Sequence, residues 1–188
     1  MATTSDATPL GSPFPDGRLF DADGAALDID DLAGDGPVLL AFLSNHCPYV
    51  RHIEQAFGEV TAELAERGIT VIGISSNDAT SHPQDGPEGM AAQAERAGWS
   101  FPYLRDPDQA LARSVGAVCT PDLFLYDREP RLAYRGAFDG STPGNDVPLT
   151  GEDLRAAADA VLEGRPAPEE QRPAMGCGIK WSPGSEPA

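Results

Sequence analysis

Residues 37–48 read Pro-Val-Leu-Leu-Ala-Phe-Leu-Ser-Asn-His-Cys-Pro, and they join an apolar run to a polar turn that carries a cysteine and a proline. Its first seven residues form a continuous apolar run, which is typical of a strand covered on both faces of a sheet. From Pro48 to Arg67 the apolar residues recur at steps of three and four, and this spacing indicates a core-facing helix. The chain is therefore predicted to pass from a buried strand into a helix, with Cys47 at the turn.

Cys47 takes the predicted N-cap of that helix, because proline is favoured at the first helical position. Unpaired backbone N–H groups and the positive end of the helix dipole favour a thiolate at such a place. We therefore predict that Cys47 is a reactive nucleophile. The alternative is a buried structural cysteine, since cysteine is among the most buried residue types.

Composition narrows the class of protein. The 188 residues are 40% hydrophobic, which is enough for one well-buried core. The net charge of -17 argues against nucleic acid and anionic membrane surfaces as partners, and such an acidic surface also suits a halophilic, high-salt interior. The polar N-terminus lacks a signal-peptide pattern, and three widely spaced cysteines do not resemble a secreted disulfide scaffold, so we predict a cytoplasmic protein.

The rest of the chain alternates strands and helices. A hairpin is predicted at 18–27, before the first strand and helix. After them we predict strands at 69–75, 101–104, 122–127 and 131–137 and helices at 88–97 and 108–115. A last helix opens on a capping-box spacing at Thr150–Asp153 and ends at Gly164. We divide the chain into a flexible N-terminal arm (1–13), one domain (14–164) and a Pro/Gly-rich C-terminal tail (165–188) that carries Cys177.

Six short motifs in order carry a family resemblance, and they are Asn45–Val50, Ser75–Asp78, Phe101–Leu104, Cys119–Asp122, Tyr134–Gly136 and Gly176–Trp181. Together they resemble an AhpC/TSA-like family in the redoxin branch of the thioredoxin-like superfamily. The resemblance implies an α/β thioredoxin-like fold, with a central mixed β-sheet flanked by helices, an N-terminal β-hairpin and an extended C-terminal tail. It also implies a cis proline at Pro121, whose loop packs beside the active-site cysteine and shapes the substrate groove.

Two further thiols are candidates to resolve an intermediate formed at Cys47. The resemblance places Cys119 near Cys47, because it lies two residues before Pro121; the alternative is a small core residue. Cys177 lies on the tail and is predicted to be either a mobile resolving thiol or an exposed or capping cysteine. The sequence leaves the choice between Cys119 and Cys177 open.

Three functions remain open at this point. Val50 stands where a Cys-x-x-Cys motif would place its second thiol, so ordinary thioredoxin dithiol chemistry is excluded. The leading hypothesis is a thiol-dependent oxidoreductase that exchanges or reduces disulfides of a protein or small thiol through Cys47, with a reductant that the sequence does not specify. The second is a thiol peroxidase that acts on a peroxide, and the third is a metal-binding or redox-sensing module.

The second and third hypotheses depend on particular side chains. The resemblance to peroxiredoxins is incomplete, because the position of their peroxide-binding arginine falls near Pro121, and the arginines that could substitute are Arg105, Arg113 and Arg135. His46 and His52 flank the thiol and are predicted to face solvent, the alternatives being stabilisation of a thiolate or metal binding with Cys47 and Cys119. No cofactor and no resident metal are predicted.

Overall fold

The computed structural model of the protein describes residues 2–5 and 8–187. In chain order the elements in this part are β1 (Ala2–Thr4), β2 (Arg18–Phe20), β3 (Ala26–Asp28), α1 (Ile29–Ala33), β4 (Val38–Phe42), α2 (Pro48–Glu66), β5 (Thr70–Ser75), α3 (Pro87–Ala97), β6 (Tyr103–Arg105), α4 (Ala110–Val115), β7 (Cys119–Thr120), β8 (Asp122–Tyr126), β9 (Leu132–Gly136), α5 (Glu152–Leu162) and β10 (Met175–Gly178).

Strand β4 lies inside a seven-stranded mixed sheet with the order β3-β2-β6-β5-β4-β8-β9. It runs parallel to β5 and antiparallel to β8, and all five of its residues are buried, as its apolar run predicted. The predicted hairpin, β2–β3, joins the sheet through β6. The predicted architecture of a central mixed sheet with flanking helices and an N-terminal hairpin is confirmed.

Helices cover both faces of this sheet. Helix α2 buries the apolar stripe read from its sequence against one face, together with α5, and this stripe consists of Val50, Ile53, Phe57, Val60 and Leu64. Helices α1 and α4 cover the opposite face. Among the described helices, none has both the length and the apolar composition needed to cross a bilayer.

The start of α5 differs from its prediction. Its N-cap is Gly151, with a left-handed backbone at φ 67°, so the capping box predicted at Thr150 is wrong. The buried carboxylate of Asp139 accepts hydrogen bonds from the backbone N–H groups of Thr150 and Gly151, both at 2.7 Å. A carboxylate from outside the helix thus satisfies the N–H groups around its start, and a spacing rule cannot reveal such a partner.

The arm and the tail meet in a second, three-stranded antiparallel sheet with the order β1-β10-β7. Cys177 lies in its central strand, opposite Ala2 on one side and Thr120 on the other. The division into arm, domain and tail stays a prediction, but residues 2–4 and 175–178 are paired strands. The fold therefore places tail residue Cys177 beside the residue that precedes Pro121.

Candidate active site

Cys47 is the N-cap of α2, with Pro48 in the first turn, as the sequence predicted. Its side chain is 0% exposed. The thiol donates a hydrogen bond to the carbonyl oxygen of Thr120, with Sγ and O 3.1 Å apart. The Thr120–Pro121 peptide bond is cis. Cys47 therefore lies against the Pro121 loop, which is the arrangement that the family resemblance implied.

Cys177 is the second thiol of the site, and it is half-buried beside Cys47. Burial raises the pKa of Cys177 to about 11, and a hydrogen bond between its side chain and Cys47 adds to the shift. Cys177 is consequently a protonated thiol at neutral pH. The preceding residue has to be glycine, because a Cβ atom at Gly176 would overlap the Thr120 carbonyl group. This close approach brings Cys177 to Cys47.

Cys119 is buried one residue before Thr120. Because Thr120 is the direct partner of Cys177, strand alternation directs the Cys119 side chain to the opposite face of the small sheet. Burial and the nearby Asp122 carboxyl hold the pKa of Cys119 well above its ordinary value, with smaller contributions from the other two thiols. The structure thus brings all three sulfurs into one neighbourhood and directs Cys119 away from Cys177.

Asp85 holds the turn that precedes Cys47, and sequence reasoning missed it. Its carboxylate is buried in a short 3₁₀ helix (Pro83–Asp85) and accepts hydrogen bonds from the backbone N–H of Asn45 at 2.7 Å and from the Ser44 hydroxyl at 3.1 Å. Asn77 donates to the same carboxylate at 2.8 Å. The loop gave no signal beyond its polar composition, because one aspartate among 30 acidic residues does not stand out.

The histidines are held by other polar groups. His46 pairs through Nδ1 with Asp85, and its ring stacks on that of His82 with centroids 5.0 Å apart. Nε2 of His52 lies 2.8 Å from the Ser141 hydroxyl oxygen. Across residues 2–5 and 8–187, no group of three or more His, Cys, Asp or Glu side chains is arranged to hold a metal ion.

The three arginines considered as peroxide-binding groups have other partners. Arg135 is buried, lies 3.5 Å from the Asp122 carboxylate and donates to the Gly116 carbonyl oxygen at 2.6 Å. Arg105 donates to a carbonyl of the N-terminal hairpin, and Arg113 donates to a carbonyl near the chain end. Each of the three guanidinium groups is thus already hydrogen-bonded to a carbonyl oxygen within the fold.

A cavity of about 330 Å³ opens beside Pro121. Its lining is mainly apolar by area and comes from the start of α2, from Pro121, from the segment 137–145 that includes Phe138, and from the tail, where Arg172 supplies a cation. Tyr49 and Pro121 are close neighbours of Cys47 and Thr120 in the chain. This cavity is large enough to take part of a substrate, and Pro121, the residue predicted to shape the substrate groove, lines it.

The Asp122–Arg135 pair gives a prediction on stability. Burial raises the pKa of Asp122 to about 7, although Arg135 opposes the shift. In the unfolded chain the pKa of an aspartate carboxyl is about 4. Between these values the folded state binds more protons, so the contribution of Asp122 to the free energy of unfolding falls as the pH rises.

We expect the free energy of unfolding of the natural chain, relative to Asp122→Asn, to fall from about pH 4 to about pH 7 and then to level off. Urea unfolding of both proteins at one-unit pH steps measures this difference. A difference that stays flat or increases across this window would contradict the assignment.

Solved structures of other proteins share this fold. The chain is 43% identical to a hypothetical protein from Sinorhizobium meliloti 1021, whose crystal structure superposes with a TM-score of 0.92 over 97% of this chain and 100% of that one. An uncharacterized thioredoxin-like protein from Porphyromonas gingivalis superposes with a TM-score of 0.58 at 20% identity, over 81% of this chain and 94% of that one, and confirms the thioredoxin-like fold.

Sequence similarity extends to a protein of Mycobacterium tuberculosis named "Putative peroxiredoxin", which is 28% identical over 117 residues, 62% of this chain and 69% of that protein. The profile of the AhpC/TSA family matches residues 10–135. Because this match covers more than half of the sequence, the chain belongs to the AhpC/TSA family, and it is a thiol-dependent oxidoreductase or peroxiredoxin-like protein.

Proposed function

We propose that this protein carries out thiol–disulfide exchange, with Cys47 as the attacking thiolate and Cys177 as the resolving thiol. One observation carries the proposal: Cys177 pairs with Thr120 in the small sheet, and Cys47 is hydrogen-bonded to the carbonyl of that same Thr120. The substrate is a disulfide of a protein or of a low-molecular-weight thiol.

The reaction has two steps. The Cys47 thiolate attacks one sulfur of the substrate disulfide, the S–S bond breaks, and the other half leaves as a thiolate that takes up a proton. Cys177 then loses its proton and attacks the Cys47 sulfur, which releases the second half as a thiol and forms a Cys47–Cys177 disulfide. The substrate gains two electrons, the protein loses two, and external thiols restore the dithiol.

The burial of Cys47 requires a movement before the first step. Strand β10 covers the Pro121 segment beside it and is joined to β7 by two residue pairs and to β1 by three. Short ladders of this kind open at a lower free energy than the rest of a fold. Local opening of the tail strand therefore exposes Cys47 to the substrate, and reclosing brings Cys177 onto the mixed disulfide.

The choice of resolving thiol gives a testable prediction. After mixing with oxidised glutathione, Cys177→Ser should accumulate a mixed disulfide at Cys47, because the thiol that releases it is gone. Cys119→Ser is the matched control and should proceed to the intramolecular disulfide, since its thiol is directed to the other face. Intact-mass spectrometry with peptide mapping measures both species.

Two results would contradict the assignment. Trapping in Cys119→Ser but not in Cys177→Ser would transfer the resolving role to Cys119. Absence of a Cys47–Cys177 disulfide in the natural chain under the same conditions would reject the exchange mechanism.

Peroxide reduction is the second candidate, and the similarity to the mycobacterial protein named "Putative peroxiredoxin" favours it. In this reaction Cys47 attacks a peroxide oxygen, water or an alcohol leaves, and Cys177 condenses with the sulfenic acid to release water and form the disulfide. The arginines named above have other partners, so no preorganised guanidinium from this set stabilises the leaving oxygen. Oxidation of Cys47 by micromolar peroxide within seconds would favour this candidate over exchange.

A further inference from the structure

The tail beyond Cys177 is held by a buried glutamine from a distant loop. The Gln109 amide donates to the carbonyl oxygens of Lys180 at 2.9 Å and Ser76 at 2.6 Å, and its Oε1 accepts from the backbone N–H of Ser182 at 2.8 Å. The side chain is 0% exposed, and its backbone lies in the left-handed region at φ 58°. A residue other than glycine is disfavoured there, so the position carries its side chain at a conformational cost.

Asn77 holds the tail from a second loop. Its Oδ1 accepts from the backbone N–H of Lys180 at 2.8 Å, while its Nδ2 donates to the Asp85 carboxylate at 2.8 Å. Asp85 in turn accepts from the backbone N–H of Asn45. A continuous path of hydrogen bonds therefore joins the turn two residues before Cys47 to the tail three residues after Cys177.

This clasp, which consists of Asn77 and Gln109, adds side-chain bonds to a segment that also has backbone bonds, from the N–H of Asp78 to the Lys180 carbonyl oxygen at 2.8 Å and from the N–H of Ile179 to the Val118 carbonyl oxygen at 3.0 Å. Glycines flank Cys177 on both sides, and glycine has the greatest backbone freedom of any residue. Strand β10 makes two residue pairs with β7 and three with β1. The clasp residues hold Lys180 and Ser182, which follow Gly178 in the chain, so they limit how far Cys177 departs from Cys47.

We propose that Asn77 and Gln109 are positioning residues that set the effective concentration of the Cys177 thiol at Cys47. The inference rests on the proposed exchange function. An intramolecular reaction is favoured in proportion to how closely the reacting groups are held, and here the clasp acts through the tail backbone. Loosening the clasp lowers the effective concentration and makes the Cys47–Cys177 disulfide easier to reduce.

The test uses Gln109→Gly and Asn77→Ala in the full chain. Glycine tolerates the left-handed backbone, so Gln109→Gly removes the amide without adding strain. Arg113→Ala is the matched control, because exposed Arg113 also bonds the tail, at the Ser185 carbonyl, but further from Cys177. Each protein is equilibrated in glutathione redox buffers, and the fraction of Cys47–Cys177 disulfide gives the reduction potential of the pair.

We expect at least a tenfold loss of effective concentration in each clasp variant, which corresponds to a potential about 30 mV less negative, and no change in Arg113→Ala. A general loss of structure is excluded by two further measurements: urea unfolding of the reduced proteins, and the rate of mixed-disulfide formation at Cys47 in a Cys177→Ser background. Neither the free energy of unfolding of the reduced protein nor the rate of mixed-disulfide formation should fall by a comparable factor.

The possible failures are distinguishable. If the natural chain forms the Cys47–Cys177 disulfide and both clasp variants have its potential, the inference is overturned and the exchange function stands. If the natural chain forms no such disulfide in any buffer, the exchange function and the inference fall together.

Discussion

Replacing Cys47 with serine is expected to lower the rate of disulfide exchange by a factor on the order of 10³ or more. A serine hydroxyl is not ionised at neutral pH, and the remaining thiols do not substitute for it. Burial raises the pKa of Cys177 to about 11, and burial together with the Asp122 carboxyl holds the pKa of Cys119 well above its ordinary value. The reduction of oxidised glutathione or of a disulfide-bonded peptide, followed by thiol release, measures the loss.

Cys119→Ser is the control for this experiment, since it makes the same change of a sulfur to an oxygen at a neighbouring buried position. It should keep most of the activity. If Cys47→Ser retains the natural rate, the attacking thiol is Cys177, and the order of the two steps is reversed.

Replacing Arg135 with methionine is expected to lower the free energy of unfolding by about 3–5 kcal/mol. The change leaves the fully buried Asp122 without its cation and removes the hydrogen bonds to Thr8 and Gly116. Urea unfolding at pH 8 measures the cost, because Asp122 of the natural chain is then above its pKa of about 7 and faces Arg135 as a carboxylate. Arg113→Met, at an exposed arginine, should cost far less.

A double variant separates the ion pair from the packing. Asp122→Asn combined with Arg135→Met removes the buried charge as well as its partner, so it should cost less than the sum of the two single changes. A loss below about 1 kcal/mol in Arg135→Met alone, in the range of surface pairs, would contradict a buried ion pair that the fold depends on.

Local patterns in the sequence predicted the part of the fold that carries Cys47. The apolar run of β4 and the periodic stripe of α2 each need only neighbouring residues to be recognised, and Pro48 marks the boundary between them. The Pro121 loop was placed by family resemblance and then confirmed beside Cys47. The cytoplasmic location and the halophilic interior stay predictions.

Contacts between distant residues explain what the sequence did not predict. Asp85 holds the Cys47 turn from about 40 residues away, and its own loop has no periodicity that would single it out. Strand β10 is four residues long and glycine-rich, so its pattern does not identify a partner strand. For this reason the sequence left the choice between Cys119 and Cys177 open. The register of β10 against β7 pairs Cys177 with Thr120, and this pairing favours Cys177.

The distance along the chain between α2 and β10 links the redox state of the protein to its resistance to unfolding. A bond between Cys47 and Cys177 would close a loop of about 130 residues, most of the chain. Chain-entropy arguments assign such a loop roughly 5 kcal/mol of stabilisation, since the cross-linked unfolded chain has far fewer conformations. The coupling is reciprocal: the same free energy makes the disulfide harder to reduce in the folded protein than in the unfolded chain. Each cycle of oxidation and reduction would therefore alternate the molecule between a more heat-resistant and a less heat-resistant form.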